Sequence, residues 1–459
     1  MNALITTVKH GTSDHYYALQ YLPSLKCMRV LGNILFSPGE AVNVDESGNA
    51  EPAGNNEIAQ KEARNAAIKN CKSMTKATAC KTQILQVDEI AKKMWRKINE
   101  AAQLFLLKMQ YAAPIIIRYH NDIDGASGAY AIYEATKPFL CDNIIWEMHK
   151  GIAYGAADAQ TDLAIASIYE SLEKPLLLIT DFGTSEESNA GIKEIDDKFE
   201  VIWLDHHPIV ENFEGKNMQH YINPWLFGGD SNFTAGLLTT LFACAFSEIR
   251  IEHTIQASFI GDYSEYVKPT EKAKELAVIL DVATSDTHIA GSHNENLTPE
   301  AIYSIMNNEP KMREVVAYAN NRIAEMLDKA LSSVKVHRLN GASVYVVDFE
   351  KIRGDDERYP LPGRFSSKLM DKIEELDTGY AIVILHFGPY ISLRESKNAK
   401  QKLNLLEVIE TTKKRLGTEI QSGGGHMSAG SIKLADENSK KGVITALIEE
   451  IGSAFARIK

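Results

Sequence analysis

Phe199-Glu200-Val201-Ile202-Trp203-Leu204-Asp205-His206-His207 is an apolar run that ends abruptly in a carboxylate and two adjacent imidazoles. The run has the length and near-continuous apolar character of a strand buried on both faces of a parallel sheet. Two other runs end in the same manner. Pro114-Ile115-Ile116-Ile117-Arg118-Tyr119 leads into His120-Asn121-Asp122-Ile123-Asp124-Gly125, and Leu176-Leu177-Leu178-Ile179-Thr180 stops at Asp181. Open α/β sheets hold their ligands at the carboxyl ends of the strands, where these polar residues fall. Further along, Ser258-Phe259-Ile260-Gly261-Asp262-Tyr263 sets one more carboxylate at the end of an apolar helical stretch.

The residue types point to phosphoryl chemistry. Hydrolysing a phosphodiester in line needs an activated water and a sink for developing charge, which two cations roughly 3.5–4 Å apart can supply together. Mg²⁺ and Mn²⁺ favour carboxylate oxygens, and imidazole tilts the preference towards Mn²⁺. Asp122 and Asp124 leave one loop in related directions, so each can serve a different ion, with Asp181 from another strand as a bridge. Taken singly, Asp-x-Asp-Gly is a common turn and a lone helical Asp is commonly a cap. Two successive histidines are harder to explain away, because both cannot pack on one apolar face. The conjunction carries the metal reading.

The order His-x-Asp-x-Asp-Gly, Thr-Asp after a strand, Asp-His-His-Pro, then Gly-Asp-Tyr resembles the four motifs of the DHH phosphoesterase superfamily. Ile391-Ser392-Leu393-Arg394-Glu395-Ser396 with Gly423-Gly424-Gly425-His426-Met427-Ser428-Ala429-Gly430 resembles the signature of the DHH-associated substrate-binding domain. Within the superfamily the likeness is to RecJ-like single-strand exonucleases of archaeal type. The resemblance implies that His120, Asp122 and Asp181 hold a first divalent ion, and that Asp124, Asp181, His206 and Asp262 hold a second. Asp205 would orient a histidine or water at the edge of the metal shell, and His207 would donate to the phosphate. Arg394 with Gly424, Gly425 and His426 would clamp the nucleotide. The three glycines could form a plain turn. They also allow backbone N–H groups to approach a phosphate as an anion nest beside the Arg394 fork, and this is the preferred reading.

With 459 residues and 44% hydrophobic content, two or three domains with real cores are expected. No apolar run reaches the roughly 18 residues of a membrane span, and the first residues lack the pattern of a signal peptide. The five cysteines are scattered, with no zinc-ligand spacing, and read as reduced thiols of a cytoplasmic protein. A net charge of −12 argues against a protein that coats nucleic acid but leaves room for a local basic groove. Candidates for such a groove are Arg358, Arg364, Lys368, Lys397, Lys400, Lys402, Lys413, Lys414 and Arg415.

The expected fold class is α/β. Residues 1–84 are read as a small β-rich appendage, with an OB-like barrel as its expected form. Residues 85–298 form a DHH catalytic domain with a parallel sheet wrapped by helices, 299–335 a helical linker, and 336–459 a smaller α/β DHH-associated domain. A cleft between the two lobes is the expected active site. The expected function is end-directed hydrolysis of single-stranded DNA or RNA by two-metal activation of water, with Mn²⁺ preferred and Mg²⁺ acceptable. Two alternatives stand beside it: a nuclease of short oligonucleotides or phosphodiesterase of cyclic dinucleotides, and a replication scaffold associated with GINS or other replisome proteins. No membrane partner is expected.

Overall fold

Every residue of Leu176–Thr180 is buried, and Ile115–Tyr119 and Ile202–Leu204 are buried with it, because both faces of the sheet they build are covered. Its five strands run in the order His220–Ile222, Glu200–Leu204, Leu176–Thr180, Ile115–His120, Ile144–His149, all parallel. Side chains alternate between two cores, as the two-residue period of a strand demands. Ile115, Ile117, Leu176, Leu178, Ile202 and Leu204 face one, with Phe105, Leu237 and Phe242. Ile116, Leu177, Ile179, Trp203 and Tyr221 face the other, with Tyr154, Phe182 and Phe213.

The computed structural model describes residues 1–459 except 12–13, 23–25, 32–34, 79–87, 140–142, 250–251, 263, 265, 267, 286–297, 340, 355–358, 400–401, 427 and 458–459. Tyr263, Arg358, Lys400, Met427, Cys80 and Cys141 therefore lie outside the described residues. The chain divides into two compact units, Met1–Thr284 with Leu297–Met312, and Arg313–Lys459 with Ser285–Asn296. No helix among the described residues is long and apolar enough to cross a membrane.

Helices of the first unit start where local chemistry tells them to. Asp88 caps Glu89–Gln110 by accepting from the Ala91 N–H at 2.7 Å, and Thr234 caps Ala235–Cys244 through the Leu237 N–H. Along Glu89–Gln110 the buried Met94, Ile98, Ala101 and Phe105 recur at helical spacing and lay one face on the sheet.

Residues 1–84 hold more than strands. Asn56–Thr78 is a 23-residue helix, and the expected boundary near residue 84 does not separate two compact units. Five strands follow the path Lys26–Val30, His15–Leu22, Asn2–Lys9, Ala41–Val44, Ala50–Pro52, all antiparallel. A parallel bridge between Leu31 and Asn49 joins the two ends of this path. Ile5, Val8, Tyr16, Ala18, Val30, Val42 and Val44 form one core. Leu4, Leu19 and Ala41 pack instead on Ala59, Ala63 and Ala67 of the helix. Tyr169–Ser171, from deep in the α/β region, adds a sixth strand against Thr7–Lys9.

The second unit has a mixed six-stranded sheet in the order Lys335–Leu339, Ala342–Asp348, Tyr380–Phe387, Tyr390–Glu395, Ala429–Leu434, Ile420–His426. Only Ala342–Asp348 and Tyr380–Phe387 pair in parallel. Helices Leu405–Leu416 and Lys440–Ala456 cover one face, and Pro362–Leu376 covers the other.

Candidate metal centre

The parallel sheet changes direction of winding between Ile115–His120 and Leu176–Thr180, since the strand that follows the first in sequence, Ile144–His149, lies on its other side. No crossover helix closes the carboxyl edge at such a switch point, so it opens into a crevice. His120 ends one bordering strand and Asp181 follows the other. Asp205 and His206 follow the next strand, Glu200–Leu204.

His120 is held by the turn below it. Its Nδ1 lies 2.6 Å from Asp122 Oδ2, while Asp122 Oδ1 caps the helix Ile123–Thr136 by accepting from the Gly125 N–H at 2.9 Å. A Cβ on Gly125 would stand 2.5 Å from the His120 carbonyl oxygen. Only glycine lets the turn close this tightly, which is the physical content of that motif position.

Asp124 is fully buried at the start of the same helix, and its two oxygens accept from the Ala235 and Gly236 N–H groups at 2.8 and 2.7 Å. Those amides are the open N-terminus of helix Ala235–Cys244, a natural anion seat. Asp181 takes a left-handed backbone, with φ of 69°. This conformation is uncommon outside glycine but tolerated by aspartate.

His206 draws the acids together. Its Nδ1 lies 2.9 Å from the Ser231 carbonyl, so that nitrogen carries the proton and Nε2 points into the cluster. Nε2 stands 3.3 Å from Asp181 Oδ1, 3.2 Å from Asp262 Oδ2 and 3.6 Å from Asp124 Oδ2. His120 Nδ1 is 3.7 Å from Asp181 Oδ2. The six residues singled out as metal ligands thus gather into His120, Asp122, Asp181 and Asp124, His206, Asp262, with Asp181 touching both sets. Asp181, His206 and His207 form a third possible trio.

Asp205 looks away from this cluster. It is fully buried, and its Oδ1 accepts from the His206 and His207 N–H groups at 2.8 and 3.3 Å and from His207 Nδ1 at 2.8 Å. Its Oδ2 accepts from the Thr184 hydroxyl. The half-exposed His207 ring is therefore oriented from behind.

The electrostatics are unbalanced. Burial, followed by the Asp181 and Asp262 carboxylates, raises the Asp124 carboxyl well above the usual range. Partial burial, with Asp181 and Asp122 nearby, pushes Asp262 up to about 7. Burial opposes protonation of His206, but Asp181, Asp262 and Asp124 outweigh it and hold the ring's affinity for a proton well above normal. His120 is raised likewise against its burial, chiefly by Asp122. His207 is raised by Asp205, whose own carboxyl is lowered by His207 despite its burial.

Residues of this kind fit divalent ions. Four carboxylates and two imidazoles converge without a Lys or Arg ion-paired to them among the described residues, and Asp181 Oδ2 is buried with no hydrogen-bond partner. A buried acceptor left unsatisfied is expensive, and a bound cation removes that cost.

The proposed nucleotide clamp is placed differently. Arg394 sits in strand Tyr390–Glu395 and pairs with Ala429, while Gly424, Gly425 and His426 lie in Ile420–His426 opposite Ser431, Gly430 and Ala429. The glycine run is an edge strand and not the turn the sequence suggests. It does not form a nest, which needs curled backbone, whereas these residues are extended in a ladder. Packing accounts for two glycines in this hairpin: a Cβ on Gly423 would come 2.9 Å from Ile409 Cγ2, and one on Gly430 would collide with the same side chain. Gly424 has open space around it. Among the groove candidates, Arg415 is tied to Glu449 and Glu450, and Lys397 to Glu374.

Sequence reasoning missed Thr184, Ser231 and Asn223. Asn223 Nδ2 donates to the His207 carbonyl at 3.0 Å, and the Ser231 hydroxyl to that of His206 at 2.9 Å. Only the Asn-Pro start of a turn at Asn223 was a readable signal.

Residues 114–263 match the DHH family, N-terminal domain. An uncharacterized protein of Methanocaldococcus jannaschii is 25% identical over 420 residues, covering 79% of this chain and 54% of the relative, so this chain spans about half the length of that protein. Among solved structures, a DHH domain described as a member of the s1p family of ribosomal proteins superposes with a TM-score of 0.70 at 22% identity, covering 86% of this chain and 99% of that one. RecJ of Thermus thermophilus in complex with Mn²⁺ gives a TM-score of 0.51 at 14% identity, over 79% of this chain and 55% of that one. The likeness to these structures is one of fold.

Proposed function

We propose, from the match of residues 114–263 to the DHH family, N-terminal domain, that this chain is a divalent-metal-dependent phosphodiesterase that hydrolyses single-stranded DNA or RNA from an end. The observation that carries the reading is that Asp181 belongs to one donor set and stands 3.3 Å from His206 of the other, while its buried Oδ2 has no hydrogen-bond partner. His120, Asp122 and Asp181 would hold one ion, and Asp124, Asp181, His206 and Asp262 a second, with Mn²⁺ preferred over Mg²⁺ because two donors are imidazoles. Bound ions supply charge neutralisation and easier deprotonation of the attacking water.

The chain's own side chains do the rest. Ser231 fixes the tautomer of His206 and turns its Nε2 inward. Asp205 holds the His207 ring from Nδ1 and favours its protonated form, so Nε2–H is presented to a non-bridging phosphate oxygen. Thr184 satisfies the remaining oxygen of Asp205 and keeps that carboxylate from turning into the metal centre. Arg394 and the strand carrying Gly424, Gly425 and His426 are proposed to hold the nucleotide, by the arginine fork and edge-strand amides. The ring of strands within residues 2–52 is proposed as an OB-type barrel, on the strength of its strand order and its parallel closure at Leu31 and Asn49.

The test is Mn²⁺-dependent digestion of end-labelled single-stranded DNA and RNA by the wild type beside Asp181→Ala. Full activity in the variant would sink the mechanism. Turnover confined to dinucleotides or cyclic dinucleotides would move the substrate to the short-oligonucleotide alternative.

A further inference from the structure

Beside His206 the structure exposes a large aromatic ring that phosphate chemistry does not call for. Trp225 is 42% exposed, while Trp203, one strand away, is completely buried. Trp225 lies in the short turn Pro224–Phe227, and two hydrogen bonds tie that turn and its cap Asn223 to the backbone of the two histidines, while a third caps the turn itself. The indole N–H donates to the His206 carbonyl at 3.1 Å. Asn223 accepts from the Trp225 N–H at 3.0 Å and donates from its side chain to the His207 carbonyl at 3.0 Å. The indole is thus fixed through its N–H beside a candidate metal ligand, and the residue is still 42% exposed.

Its neighbours in the surrounding loops share this character. Leu226 is 46% exposed and Val210, three residues after His207, is 43% exposed. Ile152 is 77% exposed, and its carbonyl accepts from the N–H of Gly183, two residues after Asp181. Exposed apolar side chains on the loops that carry a site built of charges commonly mark where an apolar part of a ligand rests.

We propose that Trp225 is the platform on which a nucleobase of the substrate stacks while the adjoining phosphate lies at the metal centre. The proposal rests on the nuclease reading of the site and narrows its substrate class. With its one donor committed to His206, the indole has no hydrogen bond to offer a base edge. It can therefore hold any base by its π face without reading sequence, as single-strand-binding aromatics do. Phosphate chains without bases gain nothing from it. The site should favour base-bearing strands over base-free ones by roughly 10- to 100-fold, the typical range for one stacked base.

The experiment compares kcat/KM, in Mn²⁺, for an end-labelled single strand and for the same strand with abasic nucleotides at the end that is digested. The wild type should prefer the base-bearing strand by roughly tenfold or more, Trp225→Leu should bring the ratio close to one, and Trp225→Phe should keep most of it. A leucine variant that slows both strands by one common factor, leaving the ratio intact, would overturn the proposal, because the indole would then only brace His206. Equal use of both strands by the wild type would overturn the proposal alone, whereas hydrolysis of neither would overturn the nuclease reading and the proposal with it. On the unmutated chain, the base-bearing strand must quench indole fluorescence more than its abasic counterpart. Equal quenching would count against stacking whether or not the leucine variant folds.

Discussion

Two buried charged clusters hang from the single strand Ile115–His120, and they are balanced in opposite ways. At Arg118 the guanidinium grips Asp162 with three bonds of 2.8 to 3.0 Å, and Tyr154 donates to the same carboxylate at 2.9 Å. Burial raises the Asp162 carboxyl, and the arginine works against that rise. Two residues on, at His120, acids meet other acids and imidazoles with no such cation among the described residues. The first cluster neutralises itself and fastens helix Ala156–Ala166 to the sheet. The second gathers four carboxylates around two imidazoles and strains both kinds of group, an arrangement that a protein tolerates in its interior when a cation is bound there.

The largest effect that would sharpen this contrast is on turnover. Asp181→Ala removes the acid proposed to bridge the two donor sets, so Mn²⁺-dependent hydrolysis should fall by at least about 10³-fold, several kcal/mol of transition-state stabilisation. Asp162→Asn should act on stability instead. It strands a buried guanidinium at a cost of about 3–5 kcal/mol, read as a lower midpoint of urea unfolding. In chelator the sign should reverse at the other cluster, where burial and neighbouring acids push the Asp262 carboxyl up to about 7, so that Asp262→Asn relieves a disfavoured charge above that pH and stabilises by on the order of 1 kcal/mol. If both asparagine variants lose stability in chelator, the two clusters are alike and the comparison is broken.

Ion binding offers the next test. Mn²⁺ at 100 times its dissociation constant should stabilise the wild type by about 2.7 kcal/mol, and far less in Asp181→Ala, as measured by the shift in melting temperature. Thr184→Val should leave that shift in place while slowing hydrolysis about 10- to 100-fold, since Thr184 reaches the site only through Asp205 and His207. The smallest change is expected at Arg394. Arg394→Ala should raise KM for single strands about tenfold with little change in the Mn²⁺ shift, the loss of one charge-assisted contact.

Much of the parallel-sheet region was legible because its signals are local. The runs ending at His120, Asp181 and Leu204 read as buried strands, and the strands Ile115–His120, Leu176–Thr180 and Glu200–Leu204 occupy them. Asp122 and Gly125 announced a tight turn, and the turn also caps a helix. The first 84 residues were harder. Helix Asn56–Thr78 escaped notice because Ala59, Ala63 and Ala67, which pack it on the antiparallel strands, are too small to show as an apolar stripe. The strand Tyr169–Ser171 joins a sheet more than 150 residues upstream, and pairing at that separation leaves no local trace. The glycines near His426 suggested a turn, although Gly423 and Gly430 are small to admit Ile409.

By itself the sequence determined which donors this protein owns and in what order they come, because aspartates and histidines placed after apolar strand runs declare themselves within a few residues. Only the tertiary structure decided what each donor faces. Strand order sets Asp181 beside His120, the N-terminus of helix Ala235–Cys244 occupies both oxygens of Asp124, and Ser231 turns one histidine inward while Asp205 holds its neighbour outward. The Asp205–His207 contact is local, but the placing of His206 and of Asp124 rests on hydrogen bonds between residues 25 to 112 positions apart, and that of Asp181 on the strand order of a packed sheet. Such distances are closed by folding, and a linear reading has no access to them.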